Sequence, residues 1–221
     1  MKKLFLFTII IMASYTISFS QSYRFELPPG ENKIIIKDKP INLEGSPYLN
    51  EEWQTGSIIL KNGDTIPSIS LRLNVLKGEM QYQYEEKTYA IGAPEGLNEI
   101  IMGRRIFKYL TYTEDSKLKK NYFEVLSNGK SCLLKYHYIV ILPANFNLAL
   151  NSGNKNDQIV HKMKYYAKIG DSIIEIEKRG KNLISAFGNN EALISKYIKE
   201  NKISLKNESD LITLIKYSNT L

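Results

Sequence analysis

Residues 69–75 read ISLRLNV, and residues 80–84 read MQYQY. In both segments apolar side chains alternate with polar ones, and this period of two places the apolar set on one face of a β-strand. Lys77-Gly78 lies between the segments and predicts a tight turn. The two segments therefore indicate consecutive antiparallel strands, because a parallel connection needs a dozen residues or more.

The same pattern continues on both sides of this pair. Asn62-Gly63 and Asn128-Gly129 each follow a β-rich run, and Asn-Gly is a strong hairpin signal because a type I′ turn needs positive φ at both central residues. The short connections predict an antiparallel up-and-down β-meander over residues 45–142, in the form of a curved sheet or a partial barrel. We predict strands at 57–61, 69–75, 80–84, 88–91, 100–102, 106–113, 122–126 and 131–141.

The remaining chain divides around this meander. Residues 21–44 are predicted to form an N-terminal arm, and residues 143–162 an Asn-rich linker or loop. Residues 163–221 contain a β-hairpin around Gly170-Asp171 and the patterns of three short helices, so the fold class is α+β. Short helices need a packing partner. We expect a small C-terminal unit with the hairpin as its floor, and docking of the helices onto the meander is the alternative.

The N-terminus has the pattern of a cleaved signal peptide over residues 1–20. Lys2-Lys3 precede an apolar run over residues 4–13, and Ser18-Phe19-Ser20 places small residues where a signal peptidase cleaves, before about Gln21. The alternative is an uncleaved anchor, but ten apolar residues are far fewer than the roughly 20 that a spanning helix needs. We therefore expect an exported protein, periplasmic or secreted, with no membrane span after cleavage.

Composition excludes several function classes. Hydrophobic residues make up 43% and charged residues 24% of the 221 residues, which is typical of a folded globular protein. Loss of residues 1–20 removes two lysines and no acid, so the formal net charge falls from +7 to +5. Cys132 is the only cysteine, which excludes an intramolecular disulfide, and we interpret it as a buried, inert thiol. The two histidines lie in no metal-binding motif, so no metal or other cofactor is expected.

Several segments are similar to a family of exported bacterial proteins of unknown function. These segments are GSPYLNEEWQTGSIILKNGD (45–64), LRLNV (71–75), YFEVLSNGKSCLLK (122–135), KIGDSIIEI (168–176) and the helical C-terminus (182–221). The resemblance covers most of the chain after residue 20. It implies a β-meander followed by a hairpin and short helices. The family offers no catalytic residue that could be transferred to this chain.

Tyrosines and lysines are the remaining candidates for a binding site. Tyr82, Tyr84, Tyr136 and Tyr138 lie in alternating strands, where a tyrosine-rich concave face could bind sugars or apolar ligands, although tyrosine is also a favoured strand residue. Basic clusters occur at 104–108, 117–120, 162–168 and 178–181. Nucleic-acid binding needs such charges on one face beside stacking aromatics, and we do not expect it in an exported chain with balanced acids.

No catalytic motif is present, so the hypothesis is a non-enzymatic binding or scaffolding module of the cell envelope. Its partner would be an envelope protein or an anionic envelope polymer. The alternative is a small-ligand carrier that uses the tyrosine-rich concave face, and an enzyme is the third candidate. A filled sheet interior would favour the scaffold, whereas a cavity lined by clustered tyrosines would favour the carrier.

Overall fold

The computed structural model describes residues 43–92, 94–177 and 179–221. The predicted signal peptide and all of the predicted arm except Leu43–Glu44 lie outside these residues. The strands are β1 (Leu43–Glu44), β2 (Gln54–Leu60), β3 (Thr65–Asn74), β4 (Glu79–Tyr84), β5 (Lys87–Ala90), β6 (Leu97–Met102), β7 (Arg105–Glu114), β8 (Lys117–Ser127), β9 (Ser131–Leu142), β10 (Asp157–Ile169) and β11 (Ser172–Glu175). The helices are α1 (Lys181–Ala186), α2 (Glu191–Glu200) and α3 (Glu208–Ser218), with 3-10 turns at Pro94–Gly96 and Gly188–Asn190.

The α+β class with an antiparallel meander is confirmed. Ten strands follow the order β1-β10-β9-β8-β7-β6-β2-β3-β4-β5, and the sheet is open because this order has two ends. β11 pairs antiparallel with the second half of β10, while β1 pairs parallel with its first two residues. Among the described residues, every other strand pairing is antiparallel.

Apart from β1, which pairs with β10, the strand order departs from the chain order at one place. β6 pairs with β2 instead of β5, with Ile100 opposite Ile58. β2 therefore lies between β3 and β6, and the chain returns past β4 and β3 through the 3-10 turn at Pro94–Gly96. The hairpin signals in the sequence specify only which neighbouring strands pair, so they do not predict this return.

The predicted boundary between linker and hairpin is wrong. Strand β10 begins at Asp157, so the last six residues of the predicted 143–162 linker belong to the sheet. β10 pairs with β9 over twelve consecutive positions, from Gln158 opposite Leu142 to Ile169 opposite Ser131. The hairpin of β10 and β11 is therefore an edge of the large sheet and not the floor of a separate unit, because β9 supplies the long partner that a two-stranded hairpin lacks.

The register separates the side chains into two faces. Residues directly opposite each other share a face, and successive residues alternate between faces. We call the face that carries Tyr82, Phe107, Glu124 and Leu133 the helix face, because α1, α2 and α3 pack on it beside Leu133 and Ala167. The other side is called the opposite face.

Three apolar cores fill these two faces. The strand core lies on the helix face of β2–β4 and β6–β8 and includes Ile58, Leu71, Met80, Tyr82, Ile100 and Phe107. The helix core lies on the same face and joins Leu133 and Ala167 to Leu183, Ile194, Leu211, Leu214 and Ile215. The aromatic core lies on the opposite face and consists of Tyr112, Phe123, Leu134 and Tyr166, with Tyr136 packed against them.

Within the described residues, no helix has the length and apolar character to cross a membrane.

Candidate functional site

Tyr82 and Tyr84 lie on the helix face of β4, near the β5 edge of the sheet. Tyr82 belongs to the strand core, and its ring stacks on that of Tyr89 with the centroids 5.3 Å apart. Burial raises the pKa of the Tyr82 hydroxyl, with Tyr89 adding to the effect. Tyr84 is 56% exposed. Only Tyr84 of this pair therefore offers a ring to a ligand.

Tyr136 and Tyr138 lie on the opposite face of β9 and stack on each other with their ring centroids 5.9 Å apart. Tyr136 contacts the aromatic core, where its ring lies 5.6 Å from that of Phe123, and burial raises its pKa. Tyr138 is half-buried, and the Lys164 Nζ lies 6.0 Å from its ring centroid. Tyr138 and Lys164 together form a small stacking site with a cation beside it.

The structure does not bring the four candidate tyrosines together. Five strands lie between β4 and β9, so the two strands are six strand spacings apart. At about 4.8 Å per spacing, this is roughly 29 Å along the sheet. The two pairs also lie on different faces, one in the strand core and the other against the aromatic core. The sequence shows the alternation of each pair but not that the two pairs face opposite ways.

A group of acidic and basic side chains centred on one buried glutamate lies between the strand core and the helix core, and it was not predicted from the sequence. We call Arg105, Glu124, Lys135, His137 and Glu208 the ionic cluster. Along β8, Glu124 separates Tyr122 of the strand core from Leu126, which packs on the helix core. The sequence does contain a signal for this site, because Glu124 is the one charged residue in the apolar run YFEVL at 122–126.

Glu124 is at the centre of the ionic cluster and is 7% exposed. Its Oε2 lies 2.7 Å from the His137 Nε2 and 4.0 Å from the Lys135 Nζ, and its Oε1 lies 3.6 Å from the Arg105 Nε. Burial is the strongest influence on the Glu124 pKa and raises it. The hydrogen bond with His137 and the charges of Lys135 and Arg105 together outweigh burial, so the pKa is lowered.

The ionic cluster continues into helix α3. The Lys135 Nζ lies 2.5 Å from the Glu208 Oε2, and the Tyr165 hydroxyl donates a hydrogen bond of 2.8 Å to the same oxygen. Burial and the Glu208 carboxylate raise the pKa of Tyr165 to about 12. Glu208 is the first residue of α3, where a carboxylate also interacts favourably with the helix dipole. The cluster thereby fixes the start of α3 to β9 and β10.

The ionic cluster places a histidine beside a carboxylate, with the cysteine and the second histidine of the chain elsewhere. His137 and Glu124 form a pair of the kind that activates a nucleophile. Cys132, however, lies on the opposite face of β9 and contacts Asn128 and the carbonyl of Gly129. The His161 ring forms a hydrogen bond with the backbone oxygen of Ser46. Among the residues that the structure describes, no group of three or more His, Cys, Asp or Glu is placed to hold a metal ion.

Several lysines of the basic clusters are paired with carboxylates. Lys119 pairs with Glu114, Lys120 with Glu95, and Lys108 with Glu99. Lys164 lies within 3.3 Å of Glu114 and 2.9 Å of Glu175. These clusters are therefore partly neutralised, which weakens them as a binding surface for an anionic polymer.

The segment that connects β9 to β10 exposes apolar side chains. We call residues 143–156 the apolar loop. At its tip, Leu148 is 87% exposed and Leu150 is 72% exposed. At its base, Ile141 and Leu142 are about half exposed. The Asn and Gly content of this segment predicts a linker, and the two leucines are not part of that pattern.

Comparisons with known protein families, with curated proteins and with solved structures found no match.

Proposed function

We propose that this chain is an exported, non-enzymatic protein that binds or scaffolds other components of the cell envelope. The N-terminal series of Lys2-Lys3, an apolar run and Ser18-Phe19-Ser20 supports export, with cleavage before about Gln21. The resemblance to exported bacterial proteins of unknown function supports the same location. The mature chain would be periplasmic or secreted.

The observation that carries the binding role is the filled interior of the sheet. All twelve residues that define the strand core are at most 8% exposed, and the four that define the aromatic core are at most 3% exposed. A carrier of the kind expected from the sequence would line a chamber with clustered tyrosines, but its four candidates lie on two faces. A packed sheet supports binding through the outer surface.

The partner would be an envelope protein or an anionic envelope polymer. Ion pairing of Lys119, Lys120 and Lys164 reduces the free positive charge on the sheet. Exposed apolar side chains such as Leu148 and Leu150 are unaffected by this pairing. The paired lysines and the exposed leucines together favour a partner with an apolar contact surface.

One observation favours the carrier as the second candidate. The stacked Tyr136 and Tyr138 rings, with the Lys164 ammonium beside them, resemble a platform for a flat or sugar-like ligand. Tyr138 is the member of this pair that is open enough to be contacted, because Tyr136 packs against the aromatic core.

Export is tested by expressing the full chain with its own N-terminus in a bacterium and sequencing the N-terminus of the recovered protein. The expected product begins at or near Gln21 and is found in the exported fraction. Recovery of a chain that still begins at Met1, embedded in the membrane after a carbonate wash, would overturn the proposed export.

Binding is tested by a pull-down from envelope extract with residues 21–221 as bait, followed by identification of bound proteins, polymers and small molecules. The scaffold predicts a protein or polymer retained equally by the parent, Tyr138→Ala and Tyr84→Ala. The carrier predicts a small molecule that Tyr138→Ala loses and Tyr84→Ala keeps. A bait that enriches nothing over a heat-denatured sample contradicts both functions.

A further inference from the structure

Leu148 is the most exposed large apolar side chain among the described residues, and Leu150 lies beside it in the same loop. Scattered single apolar residues are normal on a protein surface. Two leucines more than 70% exposed at one loop tip form an apolar pair and are not scattered single residues. Clustered exposed apolar side chains are typical of contact sites for other molecules.

Hydrogen bonds hold the apolar loop in one conformation. The Asn147 and Ser152 backbones exchange bonds of 2.8 and 3.3 Å, and the Asn145 N–H donates to the Asn154 carbonyl over 3.0 Å. The Asn147 Oδ1 also accepts from the N–H groups of Ala149 and Leu150. The two leucines are therefore presented by an ordered tip, and little further ordering is needed when a partner covers them.

The charge pattern of the apolar loop fits an anionic, apolar partner. Residues 143–156 contain one charged side chain, Lys155, and no acid. The Lys155 Nζ lies 4.9 Å from the centroid of the Phe146 ring. Asp157 follows the loop, and its carboxylate is engaged by the Ala144 N–H at 2.8 Å. The exposed tip consists of leucine, alanine and uncharged amide or hydroxyl side chains.

We propose that the apolar loop inserts Leu148 and Leu150 into the surface of a phospholipid bilayer that contains anionic lipid. The residues that contribute most of the binding energy in protein–protein interfaces are enriched in Trp, Tyr and Arg, whereas Leu and Ser are under-represented among them. A side chain that is almost fully exposed needs a matching pocket on a protein partner, but a bilayer surface accepts it without one. The Asn side chains then lie at headgroup level, and Lys155 faces lipid phosphate.

The expected contact is peripheral and reversible. Two inserted leucines bury less apolar surface than a single acyl chain, and a single acyl chain binds membranes only marginally. Attraction between anionic lipid and the +5 charge of residues 21–221 adds to the apolar contribution and falls as salt is raised. This inference rests on the proposed location in the envelope, because export is what brings the chain to such a surface.

The test is co-flotation of residues 21–221 with vesicles of phosphatidylcholine and phosphatidylglycerol in a 3:1 ratio. This version of the chain keeps every described residue and lacks the apolar N-terminal run. The parent is expected to float with these vesicles and to bind pure phosphatidylcholine more weakly. The variant Leu148→Ser/Leu150→Ser is expected to lose about tenfold or more in partition coefficient. Lys155→Gln is expected to lose about fivefold, and only with anionic vesicles.

Leu193→Ser is the matched control. Leu193 is 45% exposed on α2, and α2 packs on the helix core beside Leu133, at the other end of β9 from the apolar loop. This variant is expected to bind vesicles as the parent does. All substituted side chains are exposed, so unchanged near-UV circular dichroism is expected for each variant.

A second readout locates the contact. In Leu148→Trp the new indole should shift its emission to the blue with vesicles and be quenched by brominated lipid, while Trp53 in the parent should show neither effect.

Absence of parent binding, or equal binding by Leu148→Ser/Leu150→Ser, would overturn the inference. Self-association that depends on the two leucines without vesicle binding would overturn it in favour of a second copy as the partner. Vesicle binding in vitro by a chain that cells do not export would contradict the proposed function alone.

Discussion

The strand core and the helix core lie on the same face of one sheet, but they are assembled over different distances along the chain. Most of the strand core comes from strands joined by short turns, such as β3 and β4, where Leu73 lies opposite Met80. The helix core joins Leu133 of β9 to Leu211 and Leu214 of α3, almost eighty residues later. Alternation within neighbouring segments predicts the first kind of core, and nothing local predicts the second.

The boundary between the two cores is polar. Between Leu133 of the helix core and Ile139, which packs on the strand core, β9 places Lys135 and His137 on the helix face. Both side chains lie within 4.0 Å of the Glu124 carboxylate. The two cores are thus separated by the ionic cluster and not by a gap in the sheet, so we expect them to unfold together.

The largest expected effect is that of Leu214→Ala in the helix core. Leu214 is fully buried, and truncation should lower the free energy of unfolding by about 2–5 kcal/mol because it leaves a cavity between α3 and the sheet. Urea unfolding should be followed both by far-UV circular dichroism and by the fluorescence of Trp53, which lies next to β2. If the cores form one unit, both midpoints shift together.

The control for this prediction is Leu193→Ala on the exposed side of α2. Apart from the small difference in helix propensity between Leu and Ala, this substitution should change the free energy of unfolding by less than about 0.5 kcal/mol. A helical signal that melts early while the Trp53 transition stays at the parent midpoint would show that the C-terminal segment is an independent unit, as the sequence analysis expected.

An intermediate effect is expected for Glu124→Gln, which removes the charge at the boundary. The variant should lose about 1.5–3 kcal/mol at neutral pH, because Lys135, His137 and Arg105 lose their shared carboxylate. The folded-state pKa of Glu124 is lowered, so its contribution is present above the unfolded pKa of about 4.3 and is lost as pH falls through the folded pKa.

The measurement is chemical unfolding of parent and variant from pH 7 to pH 3. The stability difference between them should shrink as the pH falls below about 4.3. The exposed Glu52→Gln serves as the control and should follow the parent. A Glu124→Gln variant that remains equally destabilised at pH 3 would mean that the carboxylate acts through its shape and not through its charge.

The smallest expected effect is the difference in cost between substitutions at two turn glycines, one in each region. Gly63 has φ +93° with open space around it, whereas a Cβ on Gly129 (φ +154°) would lie 2.4 Å from the Asn219 side chain. Asn219 accepts from the Ser131 N–H and donates to the Ser131 carbonyl, so it ties the end of α3 to β9. Both Gly→Ala changes should cost about 1–2 kcal/mol through backbone strain.

Gly129→Ala should cost about 1 kcal/mol more than Gly63→Ala, because it also displaces the Asn219 side chain. Each glycine substitution should also be made separately in an Asn219→Ala background. The difference between their free energies of unfolding should then vanish. An excess that persists without the Asn219 side chain would assign the cost to the turn itself.

Several elements of the structure could be predicted from local sequence. The turns at Asn62-Gly63 and Asn128-Gly129 connect β2 to β3 and β8 to β9, as predicted. They are not type I′ turns, because in each pair only the glycine has positive φ. Asn207 caps α3 by accepting from the N–H groups of Ser209 and Asp210. Asn182 lies inside α1, which begins after Gly180, and its amide donates to the Glu175 carbonyl.

The candidate site was predicted less well than the fold. The four tyrosines were found from alternation, but a period of two states only that a strand has two faces. The period does not say whether the tyrosines of two distant strands lie on the same face of the sheet. In the structure Tyr82 and Tyr136 lie on different faces. Glu124 stands out as an acid in an apolar run, but its partners could not be predicted because Arg105 and Glu208 are far from it in sequence.

The sequence by itself determined the local features of this protein: its strands, its hairpin turns and the apolar stripes of its helices. These depend on dihedral preferences and side-chain periods that act over a few residues. Only the tertiary structure decided that β6 returns to β2, that β10 extends the sheet beside β9 and that α3 packs over Leu133. These choices depend on burying apolar area between distant segments, and that area exists only once the chain has folded.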